Sequence, residues 1–173
     1  MKTVVLTPLF PPDPSTSAQY TKQLVQKLPP HNLSVIAYGK LPESVPDVEI
    51  FSITKRSNKF ILVFRCLKKL LQLKPIVLIV QNGPSTELPA ILFSFLSSTK
   101  ILYIVSDQEA AAKKTFLQAL CKKRAGKTIT LPESDETYLP TEWLPFGDSH
   151  NEVEQPKQTW WNEHLKEINS IHD

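Results

Sequence analysis

Residues 4–28, VVLTPLFPPDPSTSAQYTKQLVQKL, decide the fold of this chain. The aliphatic run at residues 4–6 is typical of a strand that is buried on both faces of a parallel sheet. The prolines that follow restrict φ and bias the residues before them toward extended backbone, so residues 7–14 form a stiff loop. Hydroxyl residues at 15–17 are good N-caps, and apolar residues then recur at helical spacing as far as Leu28. The stretch therefore predicts a strand, a loop and a helix.

The helix that follows this loop would begin at the carboxyl end of the sheet. Its first N–H groups have no partner within the helix, so they would point into the crevice where open α/β folds bind ligands, often anionic ones. The sequence therefore predicts a binding site at that edge of the sheet.

Five further strand patterns and three further helix patterns follow along the chain. The strands are predicted at residues 33–37, 48–53, 76–80, 100–105 and 128–131, and the helices at residues 60–73, 85–97 and 109–124. Strands that alternate with helices of this length require right-handed crossovers and hence a parallel sheet. We predict an α/β fold with a six-stranded, Rossmann-like parallel sheet in the order 3-2-1-4-5-6 and helices on both faces.

The composition changes after the sixth strand, which divides the chain into three parts. We expect a packed domain at residues 1–138 and an acidic, proline-containing linker at residues 139–156. Residues 157–173 predict an amphipathic C-terminal helix, with Trp160 and Trp161 on its apolar stripe.

Cysteine usage and the start of the chain indicate a cytoplasmic protein. Cys66 and Cys121 lie far apart in predicted helices without a CxxC motif, so we expect reduced, buried thiols and no metal site. The apolar run at the start meets proline at once, which is too short for a signal peptide or a membrane span.

Charge is distributed unevenly along the chain. Residues 1–127 carry 18 Lys and Arg against 7 Asp and Glu, whereas residues 128–173 carry 2 against 10. The predicted basic surface, a membrane or partner face, consists of Arg65, Lys68, Lys69, Lys113, Lys114, Lys122, Lys123 and Arg124. Such a surface could contact an anionic membrane peripherally, or it could be a solvated lysine-rich face. Nucleic acid is not favoured, because no RNA-binding aromatic motif, zinc finger or basic helix-turn-helix pattern is present.

Glycine placement argues against a nucleotide cofactor. The chain has four glycines, none of them in residues 7–14, and both GxGxxG and the P-loop motif are absent. Without such glycines the backbone cannot approach a pyrophosphate as those folds require. We therefore predict no cofactor.

Asp107 follows the predicted fifth strand and lies beside Ser106. Its carboxylate could accept a hydrogen bond from a sugar hydroxyl or act as a base, and it could equally cap the helix that comes next. It is the candidate catalytic residue.

Several stretches, taken in order, resemble glycosyltransferase family 4, the retaining GT-B enzymes built from two Rossmann-like domains. The matching residues of the first loop, helix and second strand are Phe10, Pro11, Pro12, Asp13, Ala18, Gln19, His31, Leu33 and Val35. KPIVLIVQNGP at residues 74–84, ITLPESDETYL at residues 129–139 and WLPFGDS at residues 143–149 are similar to later motifs of the family. The resemblance spans roughly residues 3–149.

The resemblance implies an N-terminal, acceptor-side domain without the domain that grips the nucleotide-sugar. Two departures stand out: the Gly-Gly often found in the first loop is Ser15 to Ser17 here, and the histidine that commonly ends the fifth strand is replaced by Ser106. Residues in loops at strand carboxyl ends are the candidate acceptor contacts. They are Pro12, Ser15, Thr16, Ser17, Asn82, Ser85 and Ser106.

The function implied is that of the acceptor-binding half of a retaining glycosyltransferase, with a glycan, glycolipid or polyol acceptor. Such a half would be inactive alone or completed by a separate nucleotide-sugar-binding chain. The alternative is a non-catalytic binding or scaffold protein that kept a glycosyltransferase-like fold.

Overall fold

Six parallel strands form one sheet in the order β3-β2-β1-β4-β5-β6. The computed structural model describes residues 2–39, 41–54, 58–106, 112, 113, 115–132 and 150–171, with the backbone alone for residues 150–157. The strands are β1 (Thr3–Thr7), β2 (Leu33–Tyr38), β3 (Glu49–Ile53), β4 (Val77–Gln81), β5 (Lys100–Val105) and β6 (Lys127–Thr130). The predicted fold class and strand order are confirmed.

The described residues form five helices. They are α1 (Thr16–Lys27), α2 (Lys59–Leu73), α3 (Pro84–Leu96), α4 (Phe116–Arg124) and α5 (His150–Asn169). Because α2 packs against α3, and α3 against α4, these three helices lie on one face of the sheet. The β1-to-β2 connection runs in the opposite direction across the sheet, so a right-handed crossover places α1 on the other face.

Residues 4–7 of the central strand β1 are buried, because strands pair with both of its edges and helices cover both faces of the sheet. Val5 lies between Val35 of β2 and Ile79 of β4, and all three are buried. Alternate residues of the central strands then form two apolar layers, one beneath α1 and one beneath α2, α3 and α4. This two-sided burial explains why the central strands are almost continuously aliphatic.

Three predicted boundaries differ from the structure. Gln81, predicted in a loop, is the last residue of β4. Within the described part of the helix predicted at residues 109–124, Thr115 has extended backbone and caps α4 through a 3.2 Å hydrogen bond from Gln118 N to its hydroxyl. The C-terminal helix begins at His150 rather than at residue 157, so it takes in the end of the predicted linker.

The chain divides into two compact units, residues 1–131 and residues 132–173. The first contains the whole sheet with α1 to α4, and the second contains α5. In α5, the Trp160 ring stacks on the His164 imidazole with 4.5 Å between centroids. Residues 139–149 of the predicted linker lie outside the described residues. Among the described residues, no helix is long and apolar enough to span a membrane.

Leu70 and Leu71 are neighbours on α2 with opposite environments, which gives a matched test of the core. Leu70 is fully buried in the apolar layer beneath α2, whereas Leu71 is 43% exposed. We expect Leu70→Ala to lower the free energy of unfolding by about 2–5 kcal/mol, because it leaves a cavity, and Leu71→Ala to lower it by less than about 1 kcal/mol. Urea unfolding of both variants measures the difference. Equal losses would contradict the assigned face of α2.

Both cysteine thiols are fully buried, which gives a second test. Burial raises the pKa of Cys66 and of Cys121 from 9.0 to about 12. We expect neither thiol to react with an alkylating reagent at mildly alkaline pH until urea unfolds the chain. Since both folded values are raised, the unfolded chain ionises first as pH increases, so the free energy of unfolding falls above about pH 9. Cys66→Val should make that fall shallower; an unchanged slope would contradict the assignment.

Candidate functional site

The carboxyl ends of β1, β4 and β5 meet at one edge of the sheet, and each end presents a polar residue. Thr7 ends β1, Gln81 ends β4, and Ser106 follows β5. These strands are neighbours in the sheet, and the three side chains join one hydrogen-bond cluster with residues of α1. All three are buried.

The Gln81 carboxamide is the centre of this cluster. Its Nε2 donates to Ser106 Oγ at 2.6 Å, to Ser17 Oγ at 2.8 Å and to the Ser17 carbonyl oxygen at 3.0 Å. Its Oε1 accepts from Thr21 Oγ1 at 2.8 Å and from the Thr7 hydroxyl. One side chain therefore connects the ends of β1 and β5 with the first turns of α1.

Ser106 connects this cluster to the loop after β4. Its hydroxyl lies 2.8 Å from Ser17 Oγ, and its backbone N–H donates to Asn82 Oδ1 at 2.9 Å. The backbone N–H of Asn82 in turn donates to the Ile104 carbonyl oxygen at 2.9 Å. The chain leaving β5 is therefore held against the chain leaving β4.

Burial separates the predicted acceptor contacts into an inner and an outer group. Ser17, Asn82 and Ser106 are 6%, 3% and 8% exposed, and their side chains bond within the cluster. The outer group lies at the surface of the same edge: Pro12 is exposed, and Ser15, Thr16 and Ser85 are half-buried. Asp107, the predicted catalytic residue, lies outside the described residues.

The N-terminus of α1 is fixed by local hydrogen bonds. Ser15 is its N-cap and accepts from the Ala18 N–H at 3.4 Å. The Ser15 N–H donates to Asp13 Oδ1 at 3.0 Å, and Gln19 Nε2 donates to the Asp13 carbonyl oxygen at 3.4 Å. This confirms the predicted helix start, and it directs the first N–H groups of α1 toward the carboxyl edge of the sheet.

The proline-rich loop between β1 and α1 is attached to the connection between β2 and β3. The Glu43 N–H donates to the Pro11 carbonyl oxygen at 2.8 Å, and the Glu43 carboxylate pairs with Lys22 of α1, also at 2.8 Å. Inside the loop, the Leu9 N–H donates to Thr7 Oγ1 at 3.2 Å, and the Pro11–Pro12 peptide is cis. The loop thus has partners on both sides.

Gly83 allows the loop after β4 to lie against the proline-rich loop. A Cβ at this position would lie 3.2 Å from Pro8 Cγ, and the residue has φ of +153°, which L side chains rarely adopt. Glycine suits this backbone conformation, and any side chain here would also require Pro8 to shift by a few tenths of an ångström.

A second buried polar group lies beneath α3, on the opposite face of the sheet from α1. Glu87 Oε1 accepts from the Tyr103 hydroxyl at 2.5 Å and from the Gly83 N–H at 3.2 Å. Burial, and then the hydrogen bond to Glu87, raise the pKa of Tyr103 above its ordinary value. The Glu87 carboxylate is thus satisfied within the protein and fixes the start of α3 to β5.

The predicted basic residues are distributed over several elements. Lys69 lies over the Phe51 ring of β3 at 3.4 Å, and the Arg124 guanidinium lies over the Phe95 ring of α3 at 4.1 Å. Lys113 is exposed but precedes α4, and Lys114 lies outside the described residues. The remaining four, Arg65, Lys68, Lys122 and Lys123, are exposed on α2 or α4.

Sequence reasoning missed the residues that organise the edge, namely Thr7, Thr21, Gln81 and Glu87. For Gln81 a signal was present: a polar residue directly follows the aliphatic run of β4, in register with buried Ile104 of β5. A polar side chain buried at a strand end needs hydrogen-bond partners, and the hydroxyls at the start of the neighbouring helix supply them.

Comparison with known proteins shows the fold. No protein-family model and no curated protein matches the sequence. Solved structures that match include the UDP-GlcNAc 2-epimerase from Methanocaldococcus jannaschii, at 15% identity and a TM-score of 0.50, over 79% of this chain and 41% of that one. A putative UDP-N-acetylglucosamine 2-epimerase from Listeria monocytogenes matches at 11% identity and a TM-score of 0.52, over 75% and 39% of the two chains. The corresponding enzyme from Rickettsia bellii matches at 14% identity and a TM-score of 0.51, over 84% and 43%.

The chain therefore has the fold of a GT-B-like Rossmann half-domain. It spans about two fifths of the length of these epimerases. This likeness in fold does not distinguish glycosyltransferase family 4, which the sequence motifs suggested, from other proteins with GT-B-like domains.

Gln81 can be tested against Gln72, an exposed glutamine on α2. Gln81→Leu has nearly the same size but removes a buried carboxamide that bonds to four residues, so we expect it to lower the free energy of unfolding by about 2–4 kcal/mol. Gln72→Leu should change it by less than about 0.5 kcal/mol. Chemical denaturation measures both. A Gln81→Leu variant as stable as Gln72→Leu would show that the cluster does not hold the edge together.

Proposed function

We propose that this chain is the acceptor-binding half of a retaining glycosyltransferase and that a separate chain supplies the nucleotide-sugar site. The acceptor is a glycan, glycolipid or polyol, bound at the carboxyl edge beside the N-terminus of α1. The proposal rests on one observation: the carboxyl edge of this GT-B-like half-domain presents hydroxyl residues beside a first loop that is rich in proline and has no glycine.

The first loop favours an acceptor over a nucleotide. Pro8, the buried Phe10 and the hydrogen bond to the Pro11 carbonyl oxygen hold its backbone in place, and it contains no glycine. A pyrophosphate needs closely approaching backbone N–H groups, which glycine-rich loops provide. The nucleotide is therefore assigned to the partner chain.

The outer group supplies the acceptor contacts in this proposal. Ser15, Thr16 and Ser85 are half-buried hydroxyl residues at this edge, and Pro12 is exposed in the first loop. Hydroxyl groups that both donate and accept suit a neutral, polyhydroxylated ligand. The inner group, with Gln81 at its centre, acts by holding α1 and the β4 and β5 loops in position.

This half contributes orientation to the reaction. Sugar transfer requires the acceptor hydroxyl to be positioned against the donor while the charge of the leaving diphosphate is stabilised. In this proposal the partner chain stabilises the diphosphate, and Asp107 is the candidate base for the acceptor hydroxyl. In this proposal the larger electrostatic part of catalysis therefore lies outside the Rossmann-like unit of residues 1–131.

We expect the purified chain to release no nucleoside diphosphate from UDP-GlcNAc or other common nucleotide-sugars. It should nevertheless bind acceptor glycans or polyols, as measured by saturation-transfer NMR. Thr16→Val and Ser85→Ala should weaken that binding severalfold, because each removes one hydroxyl from the edge. Ser98→Ala is the matched control, since Ser98 is exposed before the start of β5, at the opposite edge.

Three results would change the conclusion. Sugar transfer by the chain alone, abolished by Asp107→Ala, would indicate a complete single-domain enzyme. Conversion of UDP-GlcNAc to its 2-epimer would indicate a reaction like that of the structural neighbours. Acceptor binding with no transfer, even with a nucleotide-sugar-binding chain encoded nearby, would favour the non-catalytic scaffold.

A further inference from the structure

The exposed surface of α2, α3 and α4 combines aromatic, aliphatic and basic side chains. Its apolar members are Phe60, Ile61, Phe64, Leu71, Leu92, Phe95, Leu96 and Phe116, all between 37% and 82% exposed. Its basic members are Lys59, Arg65, Lys68, Lys122, Lys123 and Arg124. Because the three helices pack side by side, we treat these residues as one surface, the basic–aromatic face.

The basic–aromatic face carries no exposed acid. α2 and α4 contain no Asp or Glu. α3 contains one, Glu87, which is 3% exposed and bonded to Tyr103 and the Gly83 N–H. The positive charges of this face are therefore not balanced by neighbouring carboxylates on the same helices.

The most exposed phenylalanines lie toward one end of this face. Phe60 and Phe64 are 82% and 68% exposed in the first turns of α2, and Phe116 is 79% exposed at the first residue of α4. α2 follows β3 and leads to β4, and α4 leads to β6, so both helices begin near the carboxyl edge of the parallel sheet. These aromatic rings thus project on the same edge as the candidate site.

We propose that the basic–aromatic face binds the surface of an anionic lipid bilayer. Lysine and arginine side chains contact anionic headgroups, while protruding phenylalanine and leucine side chains enter the boundary with the acyl chains. The proposal needs neither acceptor nor nucleotide-sugar, so it holds or fails independently of sugar transfer.

Charge and composition favour a bilayer over a protein partner. Lysine is depleted in protein–protein interfaces, yet four of the six basic residues of this face are lysines. A second copy of the chain, packed face to face, would bring like charges together, which is unfavourable. An anionic bilayer complements both the charge and the projecting apolar side chains.

Co-sedimentation with vesicles tests this with the full chain. We expect binding to vesicles of phosphatidylcholine mixed with phosphatidylglycerol, no binding to phosphatidylcholine alone, and loss of binding at high salt. Arg65→Gln, Lys122→Gln and Lys123→Gln should each lower the partition coefficient about fivefold. Lys27→Gln is the matched control, because Lys27 is exposed on α1, on the other face of the sheet.

A second pair of variants separates apolar insertion from charge. Phe60→Ser with Phe64→Ser keeps every charge and should lower the partition coefficient tenfold or more, by about the transfer free energy of two partly buried rings. Leu41→Ser, at a residue 87% exposed outside these helices, is the control. Unchanged thermal unfolding in all variants shows that they remain folded, since each site is exposed.

Three outcomes would overturn the proposal. Equal co-sedimentation with neutral and anionic vesicles would show that the basic–aromatic face is a solvated lysine-rich surface. Anionic binding that neither set of variants weakens would place the contact elsewhere on the molecule. Concentration-dependent dimerisation that Phe60→Ser with Phe64→Ser abolishes, without vesicle binding, would identify the face as an interface between two copies.

Discussion

The buried Gln81 carboxamide is the interaction on which the carboxyl edge depends. It is the only side chain among those described that bonds to residues of β1, α1 and the chain leaving β5 together. Because it is enclosed between the sheet and α1, each of its bonds is made in a medium where an unpaired amide would be costly. The position of α1, and with it the geometry of the outer hydroxyls, follows from these bonds.

Much of the fold could be predicted, because a strand that is buried on both faces consists almost entirely of aliphatic residues and is easily recognised in the sequence. The aliphatic runs of β1, β4 and β5 indicated strands, and the handedness of crossovers reduced the possible orders to the one observed. The start of α4 was not predicted. Thr115 is the N-cap of α4 and accepts from the Gln118 N–H, an arrangement that the helix predicted at residues 109–124 did not include.

The candidate site was predicted only in part, because its organisation depends on tertiary packing. Hydroxyl residues at the start of α1 and after β5 were expected at the edge, and they lie there. Ser17 turns inward and the adjacent Thr16 lies at the surface, a difference set by the rotation of α1 against the sheet. Gln81 bonds to residues 60 and 74 positions away, and such pairs leave no local pattern in a single sequence.

The close approach of Gly83 to Pro8 restricts the conformational freedom of this edge of the sheet. Two loops from neighbouring strands meet at this contact, and a Cβ at residue 83 would lie only 3.2 Å from Pro8 Cγ, so packing opposes a shift of either loop toward the other. A surface that packing holds in one conformation is preorganised, and binding to such a surface costs little ordering entropy. Where the binding conformation is already the dominant one, association needs no slow closure step.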